Sequence, residues 1–255
     1  MRVLVTGSGG REHAIAWRIS QSSSVEKVFV APGNAGTELE EKLQNVSISP
    51  MDFGSLIEFA RSEKVDLTVV GPEGPLVAGC VDRFAESGLR CLGPSKSAAQ
   101  LEGSKSFAKD FLKKYGIPTG DYRVFDEIEA ADEYLDTQIP PIVIKADGLA
   151  AGKGVVIAQS IQEAKSTVAD MLSGNLLSGA GFRVVIEEFL EGEEASFIII
   201  ADGDNFLPFA TSQDHKAAYD GDTGPNTGGM GAYSPAPVVT AEVFSRTIDQ
   251  VIKPT

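Results

Sequence analysis

The sequence predicts an α/β protein whose N-terminal part is a doubly wound parallel sheet. Short apolar runs alternate with amphipathic segments over the first hundred residues, and glycine-rich loops follow the apolar runs. Apolar runs bounded by such loops are typical of strands, and the segments between them are apolar on one helical face. Strands are therefore expected at residues 2–6, 27–31, 66–70 and 90–92, and helices at residues 12–19, 53–61 and 76–85.

Three glycine-bearing loops follow the first three predicted strands, at residues 7–10, 32–36 and 71–74. The carboxyl ends of parallel strands form the ligand-binding edge of a doubly wound sheet. We therefore expect these loops to converge on one edge and to form a ligand site there.

The first loop does not match a dinucleotide-binding fingerprint. Gly7 and Gly9 are present, but Glu12 stands where the fingerprint needs a third glycine, and no acidic residue ends the second strand. A glycine turn that opens a helix can still bind a phosphate through backbone N–H groups. We expect Gly9, Gly10 and Arg11 to do so, with a surface ion pair as the alternative role of Arg11.

The composition changes after residue 92, where Gly93 and Pro94 close the first domain. The predicted division is an N-terminal domain at residues 1–101 and a second domain at residues 102–255.

Ser95 and Ser104 are expected to cap two short helices that follow, the second of which ends at Gly116. Lys105 lies in the first turn of the second helix, where a cation interacts unfavourably with the helix dipole. Lys105 is either solvated or compensated by an anion, and we favour the anion.

Two apolar strands, at residues 141–146 and 155–158, predict a hairpin with a glycine-rich connection. The connection is not a Walker loop, because only three residues separate Gly148 from Gly152 and Gly154 follows Lys153. We expect it to cover a triphosphate, with Lys145 and Lys153 as charged donors. The alternative is an ordinary mobile hairpin.

A further strand is expected at residues 183–189, followed by another at residues 195–201. Strand alternation places Glu187 and Glu188 on opposite faces, so they cannot act as a pair of carboxylates in acid–base catalysis. Glu194 follows the turn at Gly192 and is predicted to lie within reach of a ribose. Ion pairs with exposed lysines are the alternative role for each acid.

Residues 213–233 are dense in glycine, amide and charged side chains. Glycine loses more backbone entropy on folding than any other residue, so this density favours close approach to a ligand over a packing role. Asp214, Lys216, Asn226 and Thr227 supply hydrogen-bonding groups, and we expect an ordered ligand-binding loop. The alternative is a long solvated loop.

The composition argues against several classes of protein. The chain has 255 residues, 42% of them hydrophobic, and its 22 basic and 36 acidic residues give a net charge of −14 without a basic run, which disfavours nucleic-acid and anionic-membrane surfaces. No apolar run reaches a membrane span and no signal peptide is evident, so a cytoplasmic protein is expected. Cys80 and Cys91 are expected to be reduced, buried thiols, and His13 and His215 provide no transition-metal cluster.

Five segments together resemble the ATP-grasp ligases and, within them, the phosphoribosylamine-glycine ligase family. The segments span essentially the whole chain and lie at residues 7–13, 31–37, 145–155, 187–194 and 213–233. The resemblance implies that a doubly wound pre-ATP-grasp domain precedes an incomplete α+β ATP-grasp domain. It also implies a mobile nucleotide-covering lobe at about residues 120–190.

The resemblance also implies roles for individual residues. Adenine would be recognised at Glu187 and the backbone around Leu190, and ribose at Glu194, with Glu188 as a further ATP-binding residue. The ATP phosphates would be bound by Lys105, Lys145, Gly148, Gly152, Lys153 and Gly154. The phosphate of 5-phosphoribosylamine would contact Gly9, Gly10 and Arg11. Glycine and the reacting centre would contact Asp214 and Lys216 as catalytic residues, with Asn226, Thr227 and Gly228 as substrate-binding residues.

The implied reaction joins glycine to 5-phosphoribosylamine through glycyl phosphate, with ATP cleaved to ADP and phosphate in purine biosynthesis. Mg²⁺, with Mn²⁺ as a possible substitute, is the implied metal, and its ligands are expected beyond Thr255, with none in this chain. Ala217 departs from the family, which has an arginine there. The 255 residues alone are expected to bind ATP without ligation. The alternatives are an inactive nucleotide-binding fragment and another ATP-grasp carboxylate-amine ligase.

Overall fold

The structure, a computed structural model, describes residues 1–149, 154–174, 183–221 and 223–255, without the side chain of Asn226. Its contacts divide the chain into two compact units. The first unit contains Met1–Phe111 and Tyr122–Ile186, and the second contains Leu112–Asp121 and Glu187–Thr255. The domain boundary predicted at residues 101 and 102 stays a prediction.

A five-stranded parallel sheet forms the N-terminal part of the first unit. Its strands are β1 (Arg2–Gly7), β2 (Lys27–Pro32), β3 (Leu43–Asn45), β4 (Leu67–Val70) and β5 (Cys91–Leu92), in the order β3-β2-β1-β4-β5. Four of these strands were predicted. β3 was missed because it has three residues, of which Leu43 alone is apolar, so no alternation marks it.

The helices of this part are α1 (Gly10–Ser20), α2 (Phe53–Ser62), α3 (Glu73–Val77) and α4 (Cys80–Glu86), with a 3₁₀ turn at Thr37–Leu39. The prediction of one helix at residues 76–85 was wrong. Gly79 has a φ angle of 90°, a left-handed conformation that ends α3 before α4 begins. The apolar periodicity continues across this break, which is why the sequence indicated a single helix.

Alternate residues of β1 enter two separate cores. Leu4 packs with residues of α2 and α4, including Leu56 and Phe84, whereas Val3 and its neighbours pack with Ala16 of α1. Successive side chains of a strand point to opposite faces, so α1 covers one face of the sheet and α2 and α4 cover the other. This arrangement confirms the predicted doubly wound sheet.

The rest of the first unit is built on a four-stranded sheet in the order β6-β9-β7-β8. Its strands are β6 (Tyr122–Phe125), β7 (Ile142–Ala146), β8 (Val155–Ala158) and β9 (Val184–Glu188), the last of which runs into the second unit. α7 (Ile128–Leu135) and α8 (Ile161–Leu172) contribute to the apolar core of this sheet. The predicted hairpin is confirmed, because β7 and β8 pair antiparallel.

Two short helices, α5 (Gln100–Gly103) and α6 (Lys105–Lys114), lie between the two sheets in the sequence. The Ser104 Oγ accepts from the Phe107 N–H at 3.2 Å, which confirms Ser104 as a cap of α6. Ser95 does not cap α5, because Ala99 occupies that position. The Ser95 Oγ instead accepts from the Ala98 N–H in the preceding turn.

The second unit contains two antiparallel strand pairs and a C-terminal helix. Its elements are β10 (Ile199–Ala201), β11 (Phe206–Pro208), β12 (Gln213–Tyr219), β13 (Thr223–Tyr233), α9 (Ala241–Thr247) and a π-helical turn at Ile248–Ile252. The strand predicted at residues 195–201 is limited to its last three residues, and Ser196 forms only an isolated bridge with Ser212. In the described ranges, no helix is long and apolar enough to cross a membrane.

The glycine-rich run at residues 213–233 is an antiparallel hairpin of β12 and β13, which corrects the prediction of a loop. Glycine density disfavours strands when each residue is considered alone. Pairing between the two strands supplies partners for part of the backbone, and this pairing is not visible in local composition. The prediction that the run lies outside the core agrees with its mostly exposed side chains.

Candidate functional site

The turn between β1 and α1 is organised by the buried side chain of Glu12. Its Oε2 accepts from the Gly9 N–H at 2.8 Å, and its Oε1 accepts from the Arg11 Nε at 2.8 Å. A carboxylate that caps the first turn is favoured by the helix dipole and by the unpaired N–H groups there. Glu12 therefore binds the Gly9 N–H, one of the backbone groups that were predicted to bind a phosphate.

Two glycines make room for this carboxylate. A Cβ placed on Gly7 or on Gly71 would overlap the Glu12 side chain. Gly7 ends β1, and Gly71 follows β4, the neighbour of β1 in the sheet. The strand that follows β1 in the chain lies on one side of this pair, and the strand that follows β4 lies on the other side. Doubly wound sheets bind their ligands at such a point. In the sequence, Glu12 stood out only because it replaces the third glycine of the dinucleotide-binding fingerprint. Its position three residues after Gly9 is the capping signal that could have revealed its role.

Arg11 is exposed and lies between two carboxylates. It pairs with Glu12 and, through its Nη2 atom at 3.5 Å, with Glu73. Its pKa is raised above the ordinary value, chiefly by the hydrogen bond with Glu12. The ion pair considered as the alternative for Arg11 is thus present, and phosphate binding by Gly9, Gly10 and Arg11 stays a prediction.

The N-terminus of α6 faces a carboxylate from another segment. Asp147, which follows β7, accepts from the Ser106 N–H at 3.2 Å, from the Ser106 Oγ at 2.6 Å and from the Ser104 Oγ at 3.1 Å. The Nη2 atom of Arg183 pairs with the same carboxylate at 2.9 Å. An anion therefore lies at the helix end that carries Lys105, as predicted. This anion is the Asp147 carboxylate of the protein itself.

Burial alone would raise the pKa of Asp147, but its hydrogen bonds with Ser106 and Ser104 and the charge of Arg183 lower that pKa below the ordinary value. The side chain is therefore ionised although it is buried. The sequence reasoning did not single out Asp147, because its donors are 41 to 43 residues earlier and 36 residues later in the chain.

The predicted phosphate-binding lysines lie next to this cluster along the chain. The Lys105 Nζ donates to the Gly148 carbonyl at 2.7 Å, and Lys145 lies opposite Val155 in the β7–β8 pair. Gly148 has a φ angle of 107°, a conformation that favours glycine, and the Ala146 N–H donates to the Gly154 carbonyl. The predicted residues Gly152 and Lys153 lie outside the described residues.

Glu187 and Glu188 are separated as the strand alternation predicted. Glu187 is buried and Glu188 is exposed. A Cβ on Gly120 would lie 3.1 Å from the Glu188 side chain, and the Leu190 side chain is also near this glycine. Leu190 is 64% exposed, so an apolar surface is available where the resemblance implies adenine.

Lys216 connects two of the predicted acidic residues in the second unit. Its Nζ lies 2.5 Å from a Glu194 carboxylate oxygen and 3.7 Å from an Asp214 oxygen. Its pKa is raised, first by the hydrogen bond with Glu194 and then by the negative charges of Glu194 and Asp214. The structure thus groups the predicted catalytic pair with the predicted ribose-binding acid.

The register of the β12–β13 hairpin places Thr227 and Gly228, two of the predicted substrate residues, opposite Lys216. His215 pairs with Gly231 and Ala217 pairs with Asn226, so residues 227–230 form an irregular segment opposite the single residue Lys216. Thr227 and Gly228 belong to this segment, and the Thr227 Oγ1 accepts from the Gly229 N–H. The side chain of Asn226 lies outside the described parts.

Gln213 is a buried residue of this hairpin to which the sequence reasoning gave no role. Its Nε2 donates to Glu193 at 3.1 Å, and its Oε1 accepts from the Tyr233 hydroxyl at 2.7 Å. Gln213 therefore joins the start of β12 to the end of β13 and to the segment before Glu194. Polar side chains at both ends of the run were the available signal.

The resemblance implies bound magnesium, whose usual protein ligands are carboxylates. Within the described residues, no group of three or more His, Cys, Asp or Glu side chains is placed to hold a metal ion. Because magnesium is commonly bound by one or two carboxylates together with the phosphates of a nucleotide, the expectation for its ligands stays a prediction.

Two family models match consecutive parts of the chain. The N domain of phosphoribosylglycinamide synthetase matches residues 1–102, and the ATP-grasp (A) domain of the same family matches residues 103–255. Curated relatives named phosphoribosylamine-glycine ligase include those of Escherichia coli O6:H1 and Pseudomonas aeruginosa, each 63% identical over all 255 residues. The chain spans 59% of the length of either relative.

Solved structures extend the comparison to the fold. A phosphoribosylamine-glycine ligase from Thermotoga maritima is 36% identical, with a TM-score of 0.82, and the match covers all of this chain and 61% of that one. The biotin carboxylase domain of the 2-oxoglutarate carboxylase from Hydrogenobacter thermophilus, solved with MgADP, is 16% identical with a TM-score of 0.77. This match covers 99% of the present chain and 57% of the other, and it shows similarity of fold alone.

Proposed function

Since the chain belongs to the phosphoribosylglycinamide synthetase family, we propose that it supplies the ATP-binding and substrate-binding residues of a ligase that joins glycine to 5-phosphoribosylamine. The products are glycinamide ribonucleotide, ADP and phosphate, in a cytoplasmic step of purine biosynthesis. The observation that carries the proposal is the hairpin that groups Asp214 and Lys216 with residues 226–228.

The proposed reaction has two steps. A carboxylate oxygen of glycine attacks the γ-phosphorus of ATP, which forms glycyl phosphate and releases ADP. The amine of 5-phosphoribosylamine then attacks the acyl carbon, phosphate leaves, and the nitrogen loses a proton. Phosphoryl transfer of this kind depends on positioning and on neutralisation of the negative charge on the transferred group.

The residues of the first unit are assigned to phosphate groups. Lys105 and Lys145 neutralise the ATP phosphates together with residues 148–154, which exclude water that would hydrolyse the acyl phosphate. Gly9, Gly10 and Arg11 bind the phosphate of 5-phosphoribosylamine, and the buried carboxylate of Glu12 orients the Arg11 guanidinium.

The residues of the second unit are assigned to the nucleoside and to the amino acid. Glu187, Glu188 and the backbone at Leu190 bind adenine, and Glu194 accepts from the ribose. Asp214 and Lys216 bind the ends of glycine, since a carboxylate attracts its ammonium group and an ammonium group attracts its carboxylate.

The test uses the 255-residue chain with magnesium and ATP. We expect ATP at about 100 times its Kd to stabilise the fold by about 2.7 kcal/mol, which is a rise in Tm of roughly 5–10 °C. Lys145→Ala should abolish most of this rise, whereas Lys165→Ala, which removes a lysine paired with Asp136 in the same unit, should retain it. An unchanged Tm of the unaltered chain would contradict ATP binding.

The same samples test turnover. We expect no ADP release that requires both glycine and 5-phosphoribosylamine, because the 255 residues correspond to only 59% of the length of the curated relatives. Release that requires both substrates would show that these 255 residues complete the reaction. Release that depends on a different acid or amine would instead support another ATP-grasp ligase.

A further inference from the structure

Asp147 connects three separate segments of the first unit. Its carboxylate accepts from Ser104 and Ser106 at the start of α6 and pairs with Arg183 immediately before β9. Its N–H donates to the Arg183 carbonyl at 3.0 Å. Only 6% of the surface of Asp147 is exposed, so these contacts stabilise its negative charge in place of water.

Both lysines of the proposed phosphate site lie close to this cluster in the chain. Lys105 stands between the two serines that donate to Asp147, and its Nζ reaches the carbonyl of Gly148, the next residue after Asp147. Lys145 lies two residues before Asp147 in β7. The backbones that carry both lysines are therefore held by one buried carboxylate.

We infer that Asp147 is a positioning residue that fixes Lys105 and Lys145 in the geometry needed to bind the ATP phosphates. The inference rests on the proposed function. Long lysine side chains have many rotamers, so the precision of a phosphate site depends on neighbouring groups that fix the backbone beneath them. Asp147 itself makes no contact with ATP in this inference.

Asp147→Asn tests the inference, because an amide keeps the shape of the side chain but loses the charge that pairs with Arg183. The matched control is Asp52→Asn. The Asp52 carboxylate accepts from the Ser55 N–H at 3.1 Å and from the Ser55 Oγ at 2.7 Å at the start of α2. Unlike Asp147, Asp52 is exposed, and it lies in the N-terminal part of the first unit. Both variants remove a negative charge from the start of a helix while an oxygen that can accept from its N–H groups remains, and only one changes the cluster beside the lysines.

Two quantities are measured in the 255-residue chain: hydrogen exchange without ATP, and the Kd of ATP by calorimetry. We expect Asp147→Asn to accelerate exchange at residues 105–108 and 145–149 and to raise the Kd roughly tenfold. Asp52→Asn should accelerate exchange only near the start of α2 and leave the Kd unchanged.

The outcomes separate the inference from the proposed function. If the unaltered chain binds ATP and Asp147→Asn binds it equally well, Asp147 is not a positioning residue, although the proposed function stands. An equal loss of affinity in both variants would also overturn the inference, because it would indicate general destabilisation. If the unaltered chain does not bind ATP, the proposed function fails, and the exchange comparison still decides whether Asp147 fixes the two lysine segments.

Ser106→Ala provides a second variant in case Asp147→Asn does not fold. It removes the 2.6 Å hydrogen bond while the charge of Asp147 and its pair with Arg183 remain. We expect a smaller rise in Kd, of about two- to fivefold, with faster exchange in the same two segments. Unchanged exchange in both segments would overturn the inference.

Discussion

At the scale of single residues, Glu12 illustrates how a buried charge is accommodated. An ionised carboxylate is costly to bury unless it is paired and hydrogen-bonded. Glu12 meets this requirement through the Gly9 N–H and the Arg11 guanidinium, and the absence of side chains at Gly7 and Gly71 leaves the space that it occupies. These glycines are therefore required by the volume of a neighbouring side chain.

Gly71→Ala is expected to destabilise the fold by about 1–3 kcal/mol, since the new methyl group overlaps Glu12 and displaces it from its partners. Gly54→Ala is the control, because its methyl group would meet only an Asp52 oxygen at 3.7 Å and alanine favours the helix. Urea unfolding measures both. Equal stability of the two variants would contradict this account of Glu12.

At the scale of elements, α6 begins with an arrangement that its own sequence does not favour. Lysine at its first position opposes the helix dipole. Ser104 supplies a local cap, and the negative charge that compensates the lysine comes from Asp147 in a distant segment. The start of α6 is thus stabilised by the sheet that follows it in the chain.

The Asp147 carboxylate at the start of α6 predicts a specific pH dependence of stability. The pKa of Asp147 is lowered from 3.8, so its stabilising contribution is fully present above that ordinary value and is lost as the pH falls through the lowered pKa. The difference in unfolding free energy between the unaltered chain and Asp147→Asn should be constant above about pH 5 and should shrink below about pH 4. A constant difference down to pH 3 in urea titrations would contradict this explanation.

At the scale of the whole molecule, the second unit carries an exposed apolar face on β10 and β11. Ile200 pairs with Leu207, and the Phe209 N–H donates to the Ile198 carbonyl, so these four side chains share one face. Each is 39–68% exposed. A two-stranded sheet with an exposed apolar face is marginal in water and favours association.

The double change Leu207→Lys with Phe209→Lys is expected to reduce self-association of the 255-residue chain, because it places charge on this face. Ile139→Lys is the control, since Ile139 is 88% exposed and lies outside the face in the first unit. Sedimentation velocity at several concentrations compares the three proteins. A reduction as large in the control as in the double variant would show that added charge, and not this face, controls association.

Local patterns were sufficient for much of the fold. The strands β1, β2, β4 and β5 and the β7–β8 hairpin could be predicted because apolar periodicity and turn-forming residues are local properties of the sequence. The break at Gly79 could not, because glycine is compatible with both a continuous helix and a left-handed turn. The strand character of residues 213–233 required knowledge of the pairing between the two halves of the run.

The candidate site was also predictable from the sequence only in part. Residue type and position predicted Lys105 and Lys145 as charged groups near anions, the resemblance implied the role of Lys216, and the strand period separated Glu187 from Glu188. The partners of Glu12 at Gly71, of Asp147 at Ser106 and of Lys216 at Glu194 come from other segments.

The sequence by itself therefore determined the α/β class, the doubly wound character of the N-terminal sheet and the family to which the motifs belong, since each depends on neighbouring residues. Only the tertiary structure decided which carboxylate holds Arg11, which anion caps α6 and which residues lie opposite Lys216. The physical reason is that buried charges and hydrogen-bond donors are satisfied by whichever groups the folded chain brings within about 3 Å, and sequence separation does not limit that distance.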